Sequence, residues 1–306
     1  MQKKIYRAGV AVKKYLPVIF TLLLLLVFWS GGCSSSLFSE PGASPGTGIF
    51  PAAATDSLTV HFIDVGQGDA IFIQAPEKNI LIDGGERNSN VAAYLQDLGI
   101  DSLDLVLSTH PHNDHIGGLL DVLENIPVQE VIDPGVIHTT KTFEDYLTLI
   151  DAQEIKFTIG RPGLTRELGD GIIMQILHPA APSASHLNDA SLITKITFDK
   201  ISFLFTGDAE ENSEGQMLRS NCRLQSTILK IGHHGSSSST SPPFLKAVNP
   251  ECAIIMVGAE NKYAHPHEET LQTLTAAGVN IYRTDIHGTI TITTDGQTYH
   301  LSLEKE

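Results

Sequence analysis

Cysteine is scarce in this chain. Its 306 residues hold three, Cys33, Cys222 and Cys252, which excludes a disulfide framework and a zinc site built on thiolates. Basic residues are few as well: 20 Lys and Arg stand against 35 Asp and Glu, a formal net charge of −15. Five of those bases, Lys3, Lys4, Arg7, Lys13 and Lys14, fall within residues 1–32, which contain no acid. Beyond them 15 bases face 35 acids, a balance of about −20. Such a surface repels polyanions within a Debye length, and no basic stripe with interleaved aromatics is visible. Long apolar runs are missing too. The stretch from Leu16 to Trp29 is about 14 residues, short of the ~20 that a spanning helix needs.

What is present falls into three parts. Residues 1–33 join a basic segment, a short apolar core and the small residues Ser30-Gly31-Gly32 before Cys33. That order describes a secretory signal rather than a packed helix. Its end resembles a bacterial lipobox, in which Cys33 would be lipidated and become the new N-terminus; an uncleaved signal anchor is the alternative. Either places the rest of the chain outside the cytoplasmic membrane, on its outer face, and cleavage without lipidation would release it. Residues 34–57 are rich in Ser, Pro, Gly and Ala and read as a flexible tether. Residues 58–306 are expected to form one domain with a sizeable core.

The domain turns on Leu105 to Leu107, an apolar strand that opens into His110-Pro111-His112-Asn113-Asp114-His115. His110 and His112 alternate, so in extended backbone both lean toward one point. Asp114 and His115 come after the chain has turned and reach a second point. Imidazole and carboxylate together suit Zn, Mn or Fe. Other candidates follow the same event, an apolar strand ending in a short glycine-bearing loop. Asp208 follows Phe205, His233 and His234 follow Ile231, and His265 lies in the loop after Val257. Strands ending on one sheet edge would pool them. Asn90 to Leu98 and Ile116 to Asn125 read as helices, with Val91, Tyr94, Leu95 and Leu98 on one face of the first. Strand-rich halves interleaved with helices predict two packed sheets with helices outside.

The run H-x-H-x-D-H after a strand ending in Ser108-Thr109 resembles the signature of the metallo-β-lactamase superfamily. That resemblance implies an α/β fold, a four-layer αββα sandwich of two mixed sheets, with two divalent metal ions, Zn or Mn, as cofactors. It also implies that Asp83, in an Asp-Gly-Gly turn, organises the ligand loop from behind, with Asp69 in a neighbouring turn. Asp208, in Thr206-Gly207-Asp208, takes the role of a carboxylate shared by two metals. Where the superfamily usually supplies a further histidine, this chain has Asn188-Asp189-Ala190-Ser191. Asn188 is a neutral oxygen donor, His186 is the alternative, and His178 is read as holding the loop. By resemblance to phosphodiesterase members, His265 is taken as the last ligand and His234 as ligand or proton donor near the leaving group, with His233 as a further metal candidate. Asp114, Asp208 and His234 form the expected catalytic set.

Finer motifs narrow the branch: Phe62-Ile63-Asp64-Val65-Gly66-Gln67-Gly68-Asp69-Ala70, Gly232-His233-His234-Gly235-Ser236, Tyr263-Ala264-His265-Pro266 and Arg283-Thr284-Asp285. With Asn188 to Leu192 they resemble the soluble metallo-hydrolase domain of ComEC-type competence proteins, over roughly Leu58 to Leu303. The polytopic channel of that family is not expected here, since the one apolar stretch reads as a signal. The resemblance implies a hydrolase of phosphodiester bonds, a nuclease or phosphodiesterase, acting through water activated between two metals. The acidic balance argues for a small substrate or a metal-screened contact with nucleic acid. Two alternatives use the same residues: a hydrolase of lactones or β-lactams, and a non-catalytic lipoprotein that only binds.

Overall fold

The computed structural model describes residues 57–306 apart from 221. The signal segment, Cys33 and the tether up to residue 56 lie outside the described residues. Among those described, no helix is long and apolar enough to cross a membrane.

The first sheet has eight strands and begins with β1 (Leu58–Phe62), β2 (Ile71–Gln74) and β3 (Asn79–Ile82), which pair antiparallel in sequence order. The strands β4 (Leu103–Leu107), β5 (Val128–Asp133) and β6 (Lys156–Ile159) then add in parallel beside β3. The C-terminal hairpin, β14 (Ile290–Thr294) and β15 (Tyr299–Leu303), completes it on the far side of β1. The second sheet has seven strands. β7 (Thr165–Glu167), β8 (Ile173–His178), β9 (Ile193–Phe198) and β10 (Ile201–Phe205) are antiparallel neighbours. β11 (Ile228–Lys230), β12 (Cys252–Ile255) and β13 (Asn280–Arg283) continue in parallel from β10.

Side-chain alternation decides how these sheets stack. Val60, Phe62, Ile73, Ile82, Leu105 and Leu107 of the first sheet share one core with Met174, Ile196, Phe203, Phe205 and Ile254 of the second. The intervening residues point the other way. Phe72, Leu81, Val106 and Val131 pack under α1 (Val91–Asp97), α3 (Leu119–Asn125) and α4 (Lys141–Ala152). Leu204, Leu229, Ala253 and Ile255 pack under α5 (Glu211–Arg219), α6 (Pro242–Val248) and α7 (Glu268–Ala276). The result is the four-layer sandwich of two mixed sheets that the sequence led us to expect. Each fully buried Leu, Ile or Phe contributes roughly 1.5–3 kcal/mol, so the two-sided strands stabilise the fold far more than local propensity does.

The local differences from sequence expectation have steric or burial causes. The helix expected over 116–125 is broken into α2 (Asn113–Ile116) and α3 at Gly117-Gly118. A Cβ on Gly118 would lie 1.9 Å from the Gly84 carbonyl, so the Asp83-Gly84-Gly85 turn presses directly on the break. Leu98 does not join the buried face of α1 but stays 40 % exposed. β6 was not anticipated because only Thr158 among its residues is even half buried, which leaves no alternation to read.

Candidate metal centre

The centre is built from strand ends outward. β4 delivers Ser108 and Thr109 to the edge of the first sheet, and His112 caps α2 in extended backbone. Asp83 stands at the end of β3 with φ 56°, a left-handed conformation that costs a β-carbon residue free energy and is held here by its bonds. Thr109 donates its backbone N–H (2.8 Å) and its hydroxyl (2.6 Å) to that carboxylate. His115 Nδ1 donates to Asp83 Oδ2 at 2.8 Å. This bond sets the ring so that Nε2 faces Asp208 Oδ1, 3.3 Å away. Asp83 therefore lies behind the His115 ring, on the side away from Asp208.

Two groups of donors result, and Asp208 joins them. His110 Nε2 and His112 Nδ1 lie 2.9 Å apart, with Asp208 Oδ2 3.6 Å from His110 Nε2. Asp114, His115 and His234 form the second group. There His234 Nε2 lies 3.5 Å from both Asp114 Oδ2 and Asp208 Oδ1. The antiparallel β9–β10 pair carries Asp208 to this point, and Ser191 Oγ accepts its backbone N–H at 3.1 Å. A third cluster, Asp69, Asp83 and His115, lies on the Nδ1 side of His115, where the buried Lys230 ammonium already pairs with Asp69.

The residues fit divalent cations. His115 Nε2, His234 Nε2 and Asp208 Oδ1 are buried without a hydrogen-bond partner. Each such orphaned atom costs about 1–3 kcal/mol, and a cation between them would remove that cost. The electrostatics agree. Burial holds the His110 ring well below the usual imidazole range, and lowers His112 as well, so both present neutral nitrogens. Burial also opposes a charge on His115, but Asp208 and Asp83 outweigh it and raise that ring well above the range. His234 is raised against burial by Asp208 and Asp114. Asp208, although buried, is held well below the usual carboxylate range by His115 and His234. In the absence of a cation, protons on two imidazoles thus balance the carboxylates.

The histidines expected downstream divide differently from the sequence reading. His234, 1 % exposed, enters the donor set, its Nδ1 2.9 Å from the Met256 carbonyl oxygen. His265 is in none of the three groups. Its ring stacks on Tyr263, centroids 5.6 Å apart, and meets His233 edge-on at 5.3 Å. His233 is half-buried at the rim, with Nδ1 3.0 Å from Glu210 Oε1 and Nε2 3.9 Å from Asp208 Oδ2. His233 and His234 are both left-handed, φ 46° and 53°, which separates their two rings. Asn188 donates Nδ2 to Glu210 Oε1 at 3.2 Å, and its Oδ1 is buried without a partner. His186 is exposed and in no donor group. His178 Nδ1 lies 3.2 Å from the Ser191 carbonyl oxygen, bracing the loop as read.

Two residues escaped sequence reasoning. Lys230 is fully buried and also donates to the Gly207 carbonyl at 3.0 Å; the only signal was a lysine inside an apolar run. Glu210 connects Asn188 and His233, and nothing in its sequence context marks it. The glycine turn before Asp69 is sterically required. A Cβ on Gly68 would lie 2.2 Å from the Asp114 carbonyl oxygen, and φ there is +131°.

Fold and donor set together define a metallo-hydrolase. The chain belongs to the Metallo-beta-lactamase superfamily, whose family description matches residues 63–259. It is 29 % identical over 262 residues to ComE operon protein 3 of Bacillus subtilis (strain 168), covering 79 % of this chain and 34 % of that protein. It is 32 % identical over 252 residues to Recombination protein 2 of Haemophilus influenzae, covering 80 % and 30 %. The chain thus spans about a third of the length of these curated relatives. The resemblance to competence proteins read from the motifs is borne out. In fold it is similar to the metallo-β-lactamase fold protein YhfI of Bacillus subtilis, with TM-score 0.52 and 13 % identity over 81 % of this chain and all of that one (100 %).

Proposed function

We propose that the chain is a phosphodiesterase that holds two divalent cations, Zn or Mn, and works outside the cytoplasmic membrane, anchored through its N-terminal segment. One observation carries the reading: the orphaned buried atoms His115 Nε2, His234 Nε2 and Asp208 Oδ1 converge beside the His110 and His112 nitrogens. His110, His112 and Asp208 Oδ2 would hold one cation, with Asn188 Oδ1 as a candidate neutral donor. Asp114, His115, His234 and Asp208 Oδ1 would hold the other. Bound there, the cations supply a nucleophile at neutral pH and offset charge growing on the phosphoryl oxygens. Asp208, with Oδ2 toward His110 and Oδ1 toward His115 and His234, would be the carboxylate common to both groups.

The protein's own proton chemistry falls to His233. It is 24 % exposed and so open to substrate, whereas His234 is enclosed among the ligand candidates. Its Nδ1 is taken up by Ser238 Oγ and the nearby Glu210 carboxylate, which leaves Nε2 to protonate a leaving oxygen. Relatives named for competence and recombination support a phosphodiester over a lactone or β-lactam. The acidic balance, 35 acids against 20 bases over the whole chain, supports a small ester over a long strand. A basic and then apolar N-terminus ending at Cys33 supports the outer-face location.

The test is elemental analysis of the full-length chain, with turnover of bis(p-nitrophenyl) phosphate by wild type and Asp208→Ala. Two metal ions per chain are expected, with turnover at least ~100-fold lower in the variant. Bound metal with cleavage only of lactones or β-lactams would sink the phosphodiester reading. Metal without any turnover would leave a binding protein. Radiolabelled palmitate incorporated at Cys33, and lost in Cys33→Ser, checks the anchor.

A further inference from the structure

The loop after β12 borders the donors and holds an aromatic ring that contributes little to the core. Tyr263 is 48 % exposed, yet its surroundings are tightly braced. Asn261 Oδ1 accepts the N–H of Tyr263 at 3.1 Å and that of His265 at 2.9 Å. Asn261 Nδ2 donates to the carbonyls of Gly258 at 2.8 Å and His265 at 2.7 Å. His267 Nε2 lies 3.2 Å from the Tyr263 carbonyl oxygen. One face of the tyrosine ring stacks on His265, 24° from parallel with centroids 5.6 Å apart. His265 in turn adjoins His233, the residue nearest the leaving oxygen in the reading above. Exposed Lys262 places its ammonium over the tyrosine ring, 5.0 Å from the centroid.

An exposed aromatic on a braced loop is preorganised for recognition: little entropy is lost when a flat partner stacks on it. The order Tyr263, His265, His233 forms a run of rings from solvent to the donors. A cation stands at its outer end, on a chain otherwise poor in bases. We infer that Tyr263 is the stacking platform for a nucleobase attached to the scissile phosphate, the base taking the place of the exposed Lys262 ammonium over the ring and that ammonium turning to an adjoining phosphate oxygen. This rests on the phosphodiesterase reading and narrows it to nucleotidyl esters. Stacking is tolerant of base identity, because every base has a π-face. The subsite therefore selects for a base without selecting which one.

Two esters sharing one leaving group test this with the metal-loaded full-length chain: thymidine 5′-(p-nitrophenyl phosphate) and methyl p-nitrophenyl phosphate. Wild type is expected to prefer the thymidine ester in kcat/KM. Tyr263→Ala should shrink that preference by about 5- to 150-fold, the range expected for one stacked base, and Tyr263→Phe should keep it. A structural role alone would slow both esters and leave their ratio unchanged, overturning the inference. Binding of 2-aminopurine deoxyriboside 5′-monophosphate supplies a second readout. Its fluorescence should be quenched by wild type and Tyr263→Phe, and far less by Tyr263→Ala; equal quenching by all three overturns the inference. If wild type cleaves neither ester, the phosphodiesterase reading fails, while the quenching still decides the stacking subsite.

Discussion

Lys230 on β11 and Asp69 in the turn before β2 form a fully buried ion pair that ties the two sheets together beneath the donors. The lysine also holds the Gly207 carbonyl, one residue from Asp208. Asp69 meets His234 Nδ1 at 3.5 Å, and its backbone N–H donates to the Asp114 carbonyl at 3.2 Å. One cation thus steadies elements from both halves of the centre, amid the buried carboxylates of Asp69, Asp83 and Asp208.

Removing one member of this pair strands the other's charge in the interior. Lys230→Met is expected to cost about 3–5 kcal/mol, and Asp69→Asn a comparable amount. The double variant should recover most of the loss, since the interior then holds no unpaired charge. Urea unfolding of the four proteins measures this; simply additive losses would show that the pair is not a unit.

Asp83 lies outside the two donor groups assigned to cations above and sets the His115 ring through its Nδ1. Asp83→Asn weakens that acceptor, and with it the orientation of Nε2. Divalent-metal affinity should fall about 10- to 100-fold, measured by competition with a chelating dye. Unchanged affinity would assign Asp83 to folding alone.

Metal loading should release protons. Without a cation, His115 and His234 have raised pKa values, chiefly against burial and through Asp208. A cation must displace those protons, so affinity rises with pH from the free-imidazole value upward, through the raised values of the two rings. Calorimetry in buffers of different ionisation enthalpy reads the number released. In the metal-free chain the sign for stability is opposite. These raised imidazoles contribute fully below the unfolded value near 6.5, and the contribution is lost as pH climbs through the folded values. Thermal melts of the metal-free chain should therefore weaken with rising pH through that range.

Asp133, at the end of β5, offers a cleaner titration. Burial raises its carboxyl from 3.8 to about 6, against hydrogen bonds from Gly135 N–H and the Tyr146 hydroxyl. A raised folded pKa favours the protonated form, so stability is lost as pH rises from the unfolded value through about 6. Asp133→Asn should gain on wild type over that span, by up to ~3 kcal/mol at neutral pH. A difference in urea midpoints that does not vary with pH would refute this.

Much of the centre was legible because its information is local. His110, His112, Asp114 and His115 occupy one loop after one strand, so spacing alone brings their donors near each other. The layer order was legible for a related reason. Strands buried on both faces leave continuous apolar runs such as Ile201–Phe205, and amphipathic stretches between them have only the outside left to cover. The edge strand β6 lacked that signal.

What the chain order alone determined is therefore the ligand run, the Asp83 turn and the presence of two helix-covered sheets, since each depends on neighbours within a few residues. The tertiary structure decided that His234 lies with Asp114 and His115 while His265 lies against His233 and Tyr263, that Lys230 is buried, and that Glu210 links Asn188 to His233. Those outcomes depend on parallel pairing of β10, β11 and β12 and on how closely the two sheets approach. Distances of a few ångströms between residues remote in sequence are set by packing, and no local pattern encodes them.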